Sequence, residues 1–146
     1  MTSLLAWVRE QLRQGVPELR SVAVVADPLL VTDRCGYPVA GVIFRGMTAE
    51  AMPGDLRREE ISVDVAVVQS VALDDETSLM GAHHTRGLLA LCDAVSSLLD
   101  GRWPEGYQRA ELTAQSGTQA YTRDYDRFIA VASVTIRYTR LVGRGG

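Results

Sequence analysis

The spacing of hydrophobic and polar positions changes several times along the chain, and each change marks an element. Near the start, Leu5, Val8 and Leu12 recur at helical spacing with Leu4 beside them. This predicts a helix over 3–13, capped by Ser3 or Thr2 and ended by Gly15 and Pro17. A short strand follows over 19–26, apolar on both faces at Val22-Ala23-Val24-Val25-Ala26 and stopped by Asp27-Pro28. Residues 29–32 read as a brief extended piece and 33–36 as a turn. A second strand is expected over 38–44, with Pro38 at its first position, where a missing amide costs least. The stretch 47–56, containing Pro53-Gly54, reads as a loop between strands.

The strand signal is strongest over 57–70. Ile61, Val63, Val65 and Val67 alternate with Ser62, Asp64, Ala66 and Val68, so the first set can face a core. A polar crossing at 72–77 leads into a predicted long helix over 78–100. There Leu88, Leu91, Cys92, Val95, Leu98 and Leu99 repeat on one face, and Gly101 is placed to end the helix. A strand over 108–115, a polar loop over 116–126 and a last strand over 127–139 complete the reading. In that last strand Phe128, Ala130, Ala132, Val134, Ile136 and Tyr138 share one face. The expected fold is α+β: a mostly antiparallel β-sheet packed by a long central helix, with an N-terminal helix. A single domain is expected over 1–142, with a flexible tail at 143–146. The expected core holds Ile61, Val63, Val65, Leu88, Leu91, Cys92, Val95, Leu98, Val134 and Ile136.

Composition narrows the function classes. The 146 residues are 47% hydrophobic and 23% charged, values of an ordinary globular domain rather than a disordered chain. The formal charge is −3, so no basic footprint points to nucleic acid. All 15 basic residues are arginine, and the chain has neither Lys nor Asn. That excludes a phosphate-loop lysine, a Schiff-base lysine and an N-glycosylation acceptor. Two cysteines, Cys35 and Cys92, make neither a disulfide framework nor a zinc knuckle. The first residues carry charge at once and read as a helix, not a signal peptide, and no apolar run approaches a membrane span.

Candidate chemistry is sparse. His83 and His84 are neighbours on the predicted helix and point about 100° apart, so they cannot readily chelate one metal together. Asp74-Asp75-Glu76 lacks the glycine and closing glutamate of a calcium loop and reads as a solvated helix entrance. There is no nucleophile elbow, zinc-protease signature or dinucleotide fingerprint. The chain is therefore read as non-enzymatic, with no catalytic, cofactor or metal residues. Two charged segments are candidates for protein contact instead. In Arg57-Arg58-Glu59-Glu60, alternation puts Arg58 and Glu60 on one face and Arg57 and Glu59 on the other. Each face then carries both signs, which suits pairing with a second copy; the plainer reading is a wet strand end. The segment around Tyr121, Arg123, Tyr125 and Arg127 combines aromatic and charged side chains, which suits either a protein contact or an ordinary exposed loop.

The order and size of the elements, with this lack of chemistry, resemble the tail-terminator, or tail-completion, proteins of tailed bacteriophages and prophage-like particles. The resemblance runs from Leu4-Leu5-Ala6-Trp7-Val8 through Tyr37-Pro38-Val39-Ala40-Gly41-Val42-Ile43-Phe44 and Ile61-Ser62-Val63-Asp64-Val65-Ala66-Val67-Val68. It continues through Leu88-Leu89-Ala90-Leu91-Cys92-Asp93-Ala94-Val95 to Phe128-Ile129-Ala130-Val131-Ala132-Ser133-Val134-Thr135-Ile136. It implies a hexameric ring at the head-proximal end of the tail tube, assembled in the host bacterial cytoplasm, that stops tube growth and offers a joining surface. The implied partners are further copies of the chain, the tail-tube protein and a neck or head-completion protein, with no membrane, specific nucleic acid or cofactor. A tail-tube or neck subunit is the main alternative, and a small ligand-binding or enzymatic domain a third.

Overall fold

The computed structural model describes residues 2–28, 36–71, 81–82, 85–122 and 128–143. The elements follow in the order α1 (Thr2–Gly15), β1 (Ser21–Val24), β2 (Val39–Met52), β3 (Leu56–Val71), β4 (Gly81–Ala82), β5 (Thr85–Arg86), α2 (Leu88–Leu99), β6 (Arg109–Gln115), β7 (Gln119–Thr122) and β8 (Phe128–Gly143). The main sheet has the order β1-β2-β3-β8-β6, and β7 pairs with a further stretch of β8. The β1–β2 contact is parallel and every other one is antiparallel. The fold is thus α+β, with a mostly antiparallel sheet and an N-terminal helix, as the patterning predicts.

Three expectations need correction. The central helix is not long. It begins at Leu88, and Gly81–Ala82 pairs with Thr85–Arg86 in a small ladder where helix was expected. Gly81, Thr85 and Gly87 all disfavour helix, and the apolar stripe itself starts only at Leu88. Gly87 is extended at the N-terminal boundary, with φ −80° and ψ −179°. Next, the expected loop at 47–56 is mostly strand. β2 runs on to Met52, turns through Pro53-Gly54-Asp55 and returns as β3 from Leu56. Finally, β7 lies inside the expected polar loop, and β8 continues to Gly143, which pairs with Leu56. Residues 144–146 lie outside the described residues.

One face of the sheet carries the two described helices. Leu4, Val8 and Leu12 of α1 and Leu88, Leu91, Cys92, Val95 and Leu99 of α2 pack on Ile61, Val63, Val65 and Val67 of β3 and Val134, Ile136 and Tyr138 of β8. Each fully buried aliphatic side chain contributes about 1.5–3 kcal/mol relative to exposure, so this layer dominates the stability. Of the expected core only Leu98 is partly buried; it lies on the rim against α1. A Cβ at Gly15 would sit 2.6 Å from Leu98 Cδ2, so Gly15 permits close helix–helix approach as well as ending α1. Gly101 follows α2 with φ 76°, the left-handed conformation expected past a helix end. Burial raises the Cys92 thiol to about 11, with a smaller contribution from Asp93, which suits a small core hydrophobe.

The opposite face has a smaller apolar cluster, Val39, Ile43, Ala66, Val68, Ile129 and Val131, near one end of the strands. Towards the β2–β3 hairpin that face turns polar. The β2 side chains are exposed or half-buried from Phe44 onward, and past the start of β6 at Arg109 the strands β2, β3 and β8 continue as a three-stranded arm. The arm carries the first of the charged segments singled out in the sequence.

Candidate protein-interaction surface

The strand register splits the charged run Arg57-Arg58-Glu59-Glu60 between the faces as alternation requires. Arg57 faces Val142 and Glu59 faces Arg140 on the helix side, while Arg58 faces Leu141 and Glu60 faces Thr139 on the open side. The run is not a wet strand end throughout, because Glu59 is only 2% exposed. Arg140 Nε donates to Glu59 Oε1 at 2.8 Å, and Arg57 Nη2 lies 2.6 Å from Glu59 Oε2. The Arg140 guanidinium also sits 5.4 Å from the centre of the Tyr107 ring. Burial alone would raise the Glu59 carboxyl. The hydrogen bond and charge of Arg140, with Arg57, outweigh it and hold the group below the usual carboxylate value. Tyr107 in turn packs edge-on to Tyr138 at 6.2 Å, and Trp7 of α1 does the same at 6.3 Å. Burial pushes the Tyr138 hydroxyl far above its ordinary value. This chain of contacts ties the arm to the core.

On the open face, charges of alternating sign cross four strands. Glu50 of β2 pairs with Arg58 of β3, and Arg58 Nε is 3.9 Å from Glu60 Oε1. Arg137 Nη1 of β8 is 3.8 Å from Glu60 Oε2, and the same guanidinium binds Glu111 of β6. Arg109 Nη2 closes the row, 3.0 Å from Glu111 Oε2. The hydrogen bond from Arg137, ahead of the Arg109 charge, lowers the Glu111 carboxyl below its ordinary value, and Glu111 raises Arg137. Exposed pairs of this kind each contribute about 0–1 kcal/mol, so the row organises the surface more than it stabilises it. The two signs that alternation placed on each face are therefore matched first within the chain.

Deeper on the same face, Asp64 is 7% exposed. It accepts from Thr135 Oγ1 at 2.6 Å and pairs with Arg45 Nε at 2.7 Å. These residues, with Ile43, Val131 and Ser133, line a groove of about 390 Å³. Sequence reasoning passed over Arg45, Asp64, Glu111, Arg137 and Arg140. The available signal was the shared parity of polar positions in two strands, Ser62 and Asp64 in β3 and Thr135 and Arg137 in β8. It becomes a cluster only once their pairing register is known.

The second charged segment is described only in part. Tyr121 lies in β7 opposite Ile129. Arg123, Tyr125 and Arg127 lie outside the described residues, as do Cys35, Asp74, Asp75, Glu76, His83 and His84. Among the described residues no group of three His, Cys, Asp or Glu side chains is placed to hold a metal ion, and no helix is long and apolar enough to cross a membrane. No protein-family model matches this chain, and no curated protein sequence matches it.

Proposed function

We propose that this chain is a structural tail-terminator protein. It forms a ring at the head-proximal end of a phage-like tail tube, stops tube growth and presents a joining surface to the neck or head. The observation that supports this reading is the arm formed by β2, β3 and β8. A small core covered by two helices carries strands that run well past it, to Met52, Leu56 and Gly143. Phe44, Met47, Leu56 and Leu141 on these strands remain 37–43% exposed. A monomer gains little from such an arm, whereas a ring gains a repeated contact between unlike surfaces. The ring, its copy number and the tube as partner come from the family resemblance.

The test is imaging of native particles, or of the protein mixed with assembled tubes. One ring of density at one tube end is the expected result. Density repeating along the tube would reassign the chain as a tube subunit, and density at the connector would make it a neck subunit. A protein that associates with no tail-like particle overturns the structural reading.

A further inference from the structure

Among the described residues, each outer edge of the sheet is covered over one part only. On the first edge β1 covers β2 from Val39 to Val42, and Val25 N donates to Val42 O at 3.0 Å. Beyond that point, among the described residues, no strand pairs with the outer side of β2 from Phe44 to Met52. On the other edge, the segment after α2 covers the start of β6. Gly101 N donates to Ala110 O at 3.0 Å, and Leu112 N donates to Asp100 Oδ1 at 3.0 Å. Beyond Leu112, among the described residues, no strand lies outside β6 and β7.

The two open parts lie at opposite ends of the sheet. Ala114 is level with Ile43 through Thr135 and Asp64, and β7 lies further from the hairpin still. Polarity is also compatible. β2 is antiparallel to β3, β3 to β8, and β8 to both β6 and β7, so β2 runs antiparallel to β6 and β7. A second copy placed beside the first, helices on the same side, therefore presents β2 in antiparallel sense to the first copy's β6–β7 edge. This is the stronger pairing and needs no inversion of either copy.

Resting on the ring-forming part of the proposed function, we infer that the open part of β2 in one copy pairs with the open part of the β6–β7 edge, from Thr113 onward, in the next. The sheet then continues from subunit to subunit. The β1 strand of one copy and the Asp100–Gly101 segment of the other act as stops at the two ends of the joint. They force a stagger along the strand direction, and a regular stagger is what a sheet needs to close on itself. The contact joins unlike surfaces, so it propagates around a ring where a symmetric β2–β2 contact would end at a dimer. It also covers Phe44 and Met47, which are 43% and 40% exposed beside the open edge.

Paired cysteines test the joint. Within one copy, β2 and β6 are separated by β3 and β8, roughly 14 Å at about 4.8 Å per strand, beyond the reach of a disulfide at about 7 Å. Any bond between them must cross between copies. In a Cys35→Ser background, Ala114→Cys is combined in turn with Thr48→Cys, Glu50→Cys or Met52→Cys, which share its face of the sheet. Oxidation at millimolar protein should give a ladder of covalent oligomers from at least one combination. Ala114→Cys with Ala49→Cys or Ala51→Cys, on the opposite face, should give much less. Met47→Lys should weaken self-association at least tenfold while leaving the circular dichroism spectrum and melting temperature unchanged. Absence of any ladder, equal ladders from both faces, or dimers from Thr48→Cys alone would overturn the inference. Particle imaging separates the two readings: a ring at a tube end without cross-links rejects this joint only, and a ladder with no tube association rejects the tube role only.

Discussion

Replacing Glu59 by Gln tests whether the arm is anchored by a buried charge. The carboxylate is 2% exposed and holds Arg140 at 2.8 Å and Arg57 at 2.6 Å. Removing one partner of a buried pair costs about 3–5 kcal/mol, because the remaining charge loses its compensation. Here the arginines keep 44% and 27% of their side chains exposed, so both recover some hydration. The amide also keeps an acceptor for one of them. Glu59→Gln should therefore destabilise by about 2–3 kcal/mol near neutral pH, read as a lower urea midpoint at unchanged slope. The folded-state pKa of Glu59 is lowered. Its stabilisation is thus fully present above the unfolded value of about 4.3 and is lost as pH falls through the folded value. The gap between wild type and variant should narrow on acidification below that range. A cost under about 0.5 kcal/mol near neutral pH, or a gap that stays constant into acid, would refute the anchoring argument.

Leu91 is fully buried between α2 and the sheet, and Leu91→Ala should cost about 2–5 kcal/mol in denaturant unfolding; a cost near zero would remove it from the core. Gly15→Val places a Cβ where Leu98 now lies and should cost about 1–3 kcal/mol in the same assay. Adding Leu98→Ala should recover part of that loss, and a double variant no better than additive would reject the steric cause.

The elements legible in the sequence are those whose two sides meet different surroundings. In α1 and α2, and over 60–65 of β3 and 134–139 of β8, one side meets the main core and the other a polar surface, so the periods of 3.6 and 2 are written into the residues. The distal half of β2 gives no such signal. Met47-Thr48-Ala49-Glu50-Ala51-Met52 is exposed or half-buried on both sides and is held as a strand by pairing to β3, a long-range contact that local pattern does not carry. The central helix starts later than the expected 78 for a local reason: Gly81, Thr85 and Gly87 have no place in the apolar stripe, which begins at Leu88. The charged run at 57–60 was legible as two faces. Its partners were not, because Arg140 and Arg137 lie far along the chain and reach Glu59 and Glu60 only through the register of β3 with β8.

That same register governs how the chain must fold. β8 follows every other strand in sequence yet occupies the interior of the sheet, pairing Leu56 with Gly143 at one end and Val71 with Phe128 at the other. The β2–β3 hairpin closes locally through Pro53-Gly54-Asp55 and can form early. β3 then presents a long, Val-rich inner edge until β8 arrives across the whole of α2, β6 and β7. Loop closure over that span should make the central pairing slower than the hairpin, as in sheets dominated by non-local contacts. During synthesis the waiting β3 edge is the chain's most exposed site for pairing with a neighbour, so misassembly should begin there, before the native edges exist.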